Sequence, residues 1–188
     1  MEELHKYLNQ ISPISDKTFS FLAEIFIEKE LRKFDYFCKV GTVATKIAFL
    51  QHGIVRSFYT NREGKEFNKN FFVAPSIIGA YTSLITGIPN NLAQQTLTNC
   101  KIWEADYNKI KQLYDTCPDL ERLARIRAEY YFVEKEIREV NLVMLEAKEY
   151  YKVFQKQYPT LEQQVPQYHI SSFLGITPTQ LSRIRAES

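Results

Sequence analysis

Glycine and proline are scarce in this chain, six and seven among 188 residues, so neither a collagen-like repeat nor a low-complexity tail is encoded. Long apolar runs are missing as well. Residues 47–50 and 142–145 are typical of the longest uncharged apolar runs, far short of the roughly 18 residues that a membrane span requires. The first five residues, Met1, Glu2, Glu3, Leu4 and His5, carry acids where a secretory signal carries cations, and no apolar stretch follows. The expected address is cytoplasmic. Cysteine is limited to Cys38, Cys100 and Cys117, an odd number without a Cys-x-x-Cys spacing, which reads as reduced structural thiols. A redox or iron-sulfur sensor is the alternative.

No block of charge of one sign is present either. Cations and anions number seven and seven in residues 1–50, four and two in 51–100, nine and eleven in 101–150, and four and two in 151–188. A nucleic-acid partner would therefore have to be recognised by local geometry, because bulk charge does not demand one. What the chain does hold is aromatic side chains, 13 Phe and 12 Tyr, within a hydrophobic fraction of 45%. That suffices for one modest core or two small ones and excludes a large multidomain enzyme.

The patterning changes twice along the chain. Leu4, Tyr7, Leu8 and Ile11, then Phe19, Leu22, Ile25 and Phe26, recur at spacings of three and four and predict two short helices around Pro13 and Asp16. Residues 36–104 instead show short β-branched and aromatic runs, 46–50, 54–59 and 66–72, separated by turn residues such as His52, Gly53 and residues 61–64. They predict a meander of antiparallel strands rolled up to remove its edges. After Pro118 a single stripe is apolar throughout: Leu123, Ile126, Tyr130, Val133, Ile137, Val140, Met144, Ala147, Tyr151 and Phe154. Its alternating gaps of three and four predict a long helix that buries a seam against a second copy of the chain, with residues 123–144 as the interface and a bend near 144–148. The plainer alternative is a helix packed on its own domain. In a parallel in-register dimer Arg122 would face Arg127 of the second copy, and Glu129 would face Glu134. Either the upper turns are splayed and covered by the sheet, or these charges turn outward.

The most specific local pattern comes last. A helix over 148–158 stops at Pro159, a second is expected over 167–174, and Gly175 makes a turn. Thr177, Pro178 and Gln180 then form a strong helix start: an N-cap, a proline in the first helical position and a capping-box partner. Leu181 and Ile184 face Ile170 and Leu174, which leaves Thr179, Gln180, Ser182, Arg183 and Arg185 outward. Two short helices about a glycine turn with such a face read as helix-turn-helix. Gln pairs with adenine and Arg with guanine, while Thr and Ser reach phosphate or bases. A small helical subdomain with a solvated polar face is the alternative.

Residues 165–185, and 173–185 above all, resemble the helix-turn-helix of the Crp/Fnr family of bacterial transcription regulators. The order of sheet, long helix and helix-turn-helix is similar to that family over nearly the whole chain. The resemblance implies an α+β fold: an N-terminal antiparallel β-roll (double-stranded β-helix) with flanking helices over 1–117, a dimerisation helix over 118–146, and a helix-turn-helix over 147–188 that lacks the wing hairpin. It implies a homodimer on double-stranded DNA at an inverted repeat, with Thr179, Gln180 and Arg183 in the base-reading positions and Ser182 and Arg185 toward the backbone. RNA polymerase and a small-molecule effector are the further partners it implies, and it calls for no cofactor. A sensor or protein-interaction module of the same fold that does not bind DNA is the second expectation.

The resemblance departs at one place. Residues 77–98 occupy the position of the family's phosphate-binding cassette, where cyclic-nucleotide binders carry Gly-Glu and, about ten residues on, Arg-Ser. This chain has Gly79, Ala80, Asn91 and Leu92 there. A cyclic phosphate buried without the Arg would be poorly compensated, so cAMP and cGMP are not expected to bind. Gly79, Tyr81, Ser83, Asn91 and Gln94 are the cassette candidates for any other ligand. No enzyme is expected: a cupin-type metal needs a His pair with Glu, and the sheet region has only His52. His5, His52 and His169 lack a Gly-framed Ser or Cys, and no glycine-rich nucleotide loop occurs.

Overall fold

The structure is a computed structural model and describes residues 1–187. The chain divides into two compact units, one formed by Met1–Ser57 with Phe71–Tyr130, the other by Phe58–Asn70 with the chain from Tyr131 onward.

The first unit opens with helices α1 (Glu2–Ile11) and α2 (Asp16–Ile25), which bury Leu4, Leu8 and Leu22. Strands β1 (Ile27–Leu31), β2 (Tyr36–Cys38), β3 (Lys46–His52), β4 (Ile54–Thr60), β5 (Glu66–Val73), β6 (Ser76–Gly79), β7 (Ala93–Thr96) and β8 (Cys100–Asp106) follow, with helix α3 (Tyr81–Thr86) between β6 and β7. They build two four-stranded sheets, β1-β8-β3-β6 and β2-β7-β4-β5, the antiparallel roll expected from the spacing of turns. Strand β3 is covered on both faces. Ala48 and Leu50 join Leu31, Val55, Ile78, Cys100 and Ile102 in one core. Phe49, on the opposite face, joins Leu4, Leu8, Ile14, Leu22, Ala105, Ile110, Cys117, Leu120 and Leu123 in the other. Two-sided burial is why residues 47–50 read as a continuous apolar run rather than an alternating one.

The β3–β4 turn depends on Gly53, whose φ of +102° suits glycine and whose hydrogen faces Cys100 Sγ and Asn99 O; a Cβ there would sit 2.5 and 2.7 Å from those atoms. Burial raises the pKa of Cys100 and pushes that of Cys38 up to about 11, which keeps both as thiols at neutral pH.

Helix α4 (Tyr107–Gln112) leads to α5 (Pro118–Met144). The first turns of α5 pack within their own unit, where Leu120 and Leu123 are buried in the helical core. Its lower half, from Tyr130 on, exposes Tyr130, Val133, Ile137, Val140 and Met144; the last three are 55%, 53% and 73% exposed. The apolar stripe thus has three fates. Leu123 belongs to its own chain's core, residues 130–144 are bare, and Tyr151 and Phe154 are buried beyond the end of the helix. The break falls where expected: α5 ends at Met144, and Glu146 caps α6 (Ala147–Gln157) in a reciprocal capping box with Glu149.

In the second unit Tyr150, Phe154 and Tyr158 gather around Phe173, with ring centroids 5.7 Å apart for Phe154 and Phe173, and Tyr151 stacks on Phe154. A short 3-10 turn (Leu161–Gln163) connects α6 to α7 (Gln167–Leu174), and α8 (Pro178–Ala186) completes the described chain. No helix of the described residues is long and apolar enough to cross a membrane.

Asp119 fastens α5 to α2. It accepts hydrogen bonds from Ser15 N and Thr18 Oγ1, both at 2.8 Å, and the Ser15 N–H above all draws its carboxyl down to about 2. The folded value lies below the ordinary one, so this stabilisation is complete above pH 4 and is lost as pH falls toward 2. Asp119→Ala should cost about 1–2 kcal/mol in urea unfolding at pH 7, and the gap to wild type should close near pH 2.

Candidate functional site

The α7–turn–α8 pair is built by local chemistry that the sequence displays. Gly175 ends α7 in the left-handed conformation at φ +73°, and Ile176 N donates back to Ser171 O. Thr177 caps α8, its Oγ1 accepting from Gln180 N at 3.1 Å, with Pro178 opening the helix. Leu181 and Ile184 are buried, as are Ile170 and Leu174 of α7. Thr179, Gln180, Ser182 and Arg183 are exposed together on the outer face. Arg183 has no ion pair among the described residues. Arg185 differs, because its Nε lies 3.7 Å from Glu162 Oε1. Glu162 also accepts from Tyr151 Oη (2.6 Å) and Gln155 Nε2 (3.2 Å), so any phosphate contact by Arg185 competes with this carboxylate.

Two holds on α7 have no signature in the sequence. Arg138 of α5 donates from Nη2 to Phe173 O and stacks 4.6 Å from the Phe173 ring, placing a cation at the C-terminal turn of α7, where the carbonyls gather negative potential. From the other side comes the tip of the β4–β5 hairpin. Asn68, 4% exposed, donates from Nδ2 to His169 Nδ1 (3.2 Å) and to His169 O (2.9 Å), while its backbone N–H donates to Ser172 Oγ (3.0 Å). Since the amide nitrogen only donates, the His169 Nδ1 facing it is an unprotonated acceptor. His169 is 2% exposed, covered in part by this contact. Burial, Lys135 and Arg138 lower the pKa of Lys69, and only Glu139 opposes them.

The cassette candidates are scattered in role. Ser83 is buried as a structural knot, accepting from Ala44 N and donating to Ile88 O. Gly79 O accepts from Gln94 Nε2 at 3.0 Å, and Gln94 Oε1 is buried with no partner. Tyr81 and Asn91 are exposed, the Tyr81 ring lying edge-on to Tyr107. Asn90, which the sequence reading passed over, is buried and ties the loop through Nδ2 to Leu92 O and Cys38 Sγ. A second overlooked pair is Arg56 and Gln95. The buried guanidinium donates from Nη2 (2.7 Å) and Nε (3.2 Å) to Gln95 Oε1, and Gln95 Nε2 donates to Phe34 O. The sequence does carry a signal for Arg56. It shares its strand parity with Ile54 and Phe58, an inward cation in a short apolar run.

Residues 28–117 match the family of the cyclic nucleotide-binding domain, over the strands and cassette just described. Beyond it, the fold of the whole chain is that of Crp/Fnr-type regulators. FixK2 from Bradyrhizobium japonicum superposes with a TM-score of 0.76 at 16% identity, over 87% of this chain and 84% of that one. CLP of Xanthomonas campestris, described as a c-di-GMP-responsive global regulator, gives 0.70 at 12% identity over 92% and 91%. A chain from Eubacterium rectale described as a transcriptional regulator of the Crp/Fnr family gives 0.71 at 11% over 91% and 82%. At these identities the likeness is one of fold, and the last two are described as regulators rather than enzymes. No curated protein matches the chain in sequence. In the matching stretch Ala80 opens α3 without a side-chain cap, and Asn91 is exposed.

Proposed function

We propose that the chain is a sequence-specific DNA-binding transcription regulator that acts as a homodimer in the cytoplasm. The observation that carries this reading is the capped α8, whose outer face holds Thr179, Gln180, Ser182 and Arg183 together, exposed and without acidic partners among the described residues. A helix N-terminus so furnished suits the major groove, with Gln180 and Arg183 at base edges and the N-terminal amides toward phosphate. We divide the labour into a sensor over 1–117, a dimerisation helix over 118–146 and a DNA-binding unit over 147–188, with RNA polymerase as a further partner.

The second copy of the chain would cover the bare part of the stripe, Tyr130, Val133, Ile137, Val140 and Met144, with Ile126 at its upper edge. These apolar side chains lie one or two turns apart along one helix face and are exposed in a single chain, which a soluble helix does not sustain without a partner. Leu123 takes no part, since its own core uses it. The effector is not cAMP or cGMP: with Ala80 and Asn91 in the cassette, a cyclic phosphate would lose its counter-charge on burial. Gln94 Oε1, the acceptor without a partner, would suit an N–H or O–H of some other ligand.

Four outcomes are expected. Ile137→Glu with Val140→Glu should yield monomers in light scattering, each buried side chain being worth about 1.5–3 kcal/mol; an unchanged dimer mass would remove the seam. Selection from a random DNA library should recover an inverted repeat with half-sites about 34 Å apart. Arg183→Ala should weaken the selected site by about 1–3 kcal/mol and relax one position in each half-site, whereas a motif that survives Arg183→Ala intact would show that α8 does not read DNA. Calorimetry with cAMP and cGMP should show no binding at micromolar concentration, and a micromolar constant would overturn the account of the cassette.

A further inference from the structure

We infer that the turn between β1 and β2, together with strand β2, is a docking surface for an extended acidic segment of a partner protein, and that Phe34 is held in a strained conformation to serve it. The surface lies within the first unit and does not rest on the DNA-binding reading above.

Phe34 is the one residue other than glycine with a positive φ among the described residues, +72°. It stands third in a four-residue turn closed by Asp35 N, which donates to Arg32 O. Glycine or asparagine takes that position at such a φ without difficulty, whereas a bulky side chain there costs stability. The surrounding bonds over-determine the turn. Phe34 N donates to Thr96 O, and Phe34 O accepts from Gln95 Nε2, itself held by the buried Arg56 guanidinium. Lys33 N donates to Asn99 Oδ1, Arg32 N to Asp35 Oδ2 and Thr96 Oγ1 to Arg32 O. All of these bonds engage the main chain of the turn or the Asp35 carboxylate, and glycine in place of Phe34 would keep every one. The phenyl ring gains little inside the fold, being 55% exposed and outside both cores of its unit. A strained backbone that its surroundings hold in place, under an exposed aromatic ring, marks function rather than packing.

The neighbours of the ring define the chemistry of the partner. Tyr36, two residues on, is 42% exposed, and Lys33 Nζ and Lys39 Nζ lie 5.0 and 5.7 Å from the Phe34 and Tyr36 ring centroids. Apolar area and positive charge therefore coincide. Residues 32–39 carry three cations, all exposed, and one acid, Asp35, whose carboxylate is engaged by Arg32 N. Strand β2 is the outer strand of the sheet β2-β7-β4-β5 and pairs with β7 on one side, so its other edge can receive a further strand. A segment added there would lay apolar side chains on the two rings and carboxylates against Lys33 and Lys39. Single-stranded nucleic acid also stacks on aromatic rings beside cations. An open strand edge favours the peptide, whose main chain repeats the donors and acceptors that the edge needs and a sugar-phosphate chain does not.

The test uses the full-length chain and a display library of linear peptides. Selection on wild type should enrich peptides in which aspartate or glutamate accompanies aromatic or aliphatic residues, and a selected peptide should slow amide exchange in β2 when bound. Lys33→Glu with Lys39→Glu should weaken that peptide about tenfold or more, and Phe34→Gly about tenfold. Phe34→Gly should at the same time raise the melting temperature by about 2 °C, because glycine adopts the turn without strain. Stability gained together with binding lost is a pairing that a purely structural Phe34 does not produce. A fall in the melting temperature of Phe34→Gly would overturn the inference. So would enrichment of basic peptides, failure to enrich any peptide, or a selected peptide that binds both variants as it binds wild type. Single-stranded oligothymidine that binds more tightly than the selected peptide, and is lost in the same variants, would assign the surface to nucleic acid and overturn the peptide.

Discussion

Burial of strand β3 on both faces is the constraint from which the arrangement of the first unit follows, because a strand with no solvent side must be given a sheet on one face and helices on the other. Ala48 and Leu50 are closed by the second sheet, and Phe49 by α1, α2, α4 and the first turns of α5. Leu120 and Leu123 are thereby committed to their own chain, and the Asp119 carboxylate is brought to the start of α2. That commitment decides where along α5 the apolar stripe becomes bare. A long regular stripe is thus divided: its first turns close a core, and its turns from Tyr130 to Met144 remain exposed.

The second unit is governed by a different demand, the backbone groups of an edge strand. Strand β5 cannot end a sheet with its amides and carbonyls dry and unpaired, and Ser172 of α7 takes two of them. Once α7 is docked there, the surrounding polar atoms become buried and must be matched in turn, which Asn68 does for His169 and Tyr158 does for Asn70. The aromatic cluster about Phe173 supplies the apolar part of the same docking, and Arg138 closes its last carbonyl. This second unit therefore uses a piece of the sheet domain's chain as one of its own walls.

Chemistry in the cassette is defined by substitution. Residues 28–117 match the cyclic nucleotide-binding domain, and the polar atoms of the cassette stretch are spent on the loop itself: Ser83 bridges Ala44 and Ile88, Asn90 ties Leu92 to Cys38, and Gln94 holds Gly79. The one deep cation, Arg56, serves Gln95. The polar interior is thus made of amides, a hydroxyl and one guanidinium that bond to one another and to the backbone.

Much of this was legible in the residues alone. Helix ends at Ser15, Gly175 and Thr177, the run over 46–50, the break after Met144 and the polar face of α8 all follow from neighbours within a few positions, where capping, turn geometry and periodicity act directly. Arg56 could have been found too, from its parity in β4. Asn68 could not: it alternates with Glu66 and Asn70 on the polar side of its strand, and it is buried only because a helix a hundred residues later settles on that edge. The same holds for His169, for Arg185 held by Glu162, and for the division of the stripe between Leu123 and Tyr130. Local interactions are written in local sequence. Which side of a strand or helix meets another element is set by long-range packing, and that is decided only when the whole chain has closed on itself.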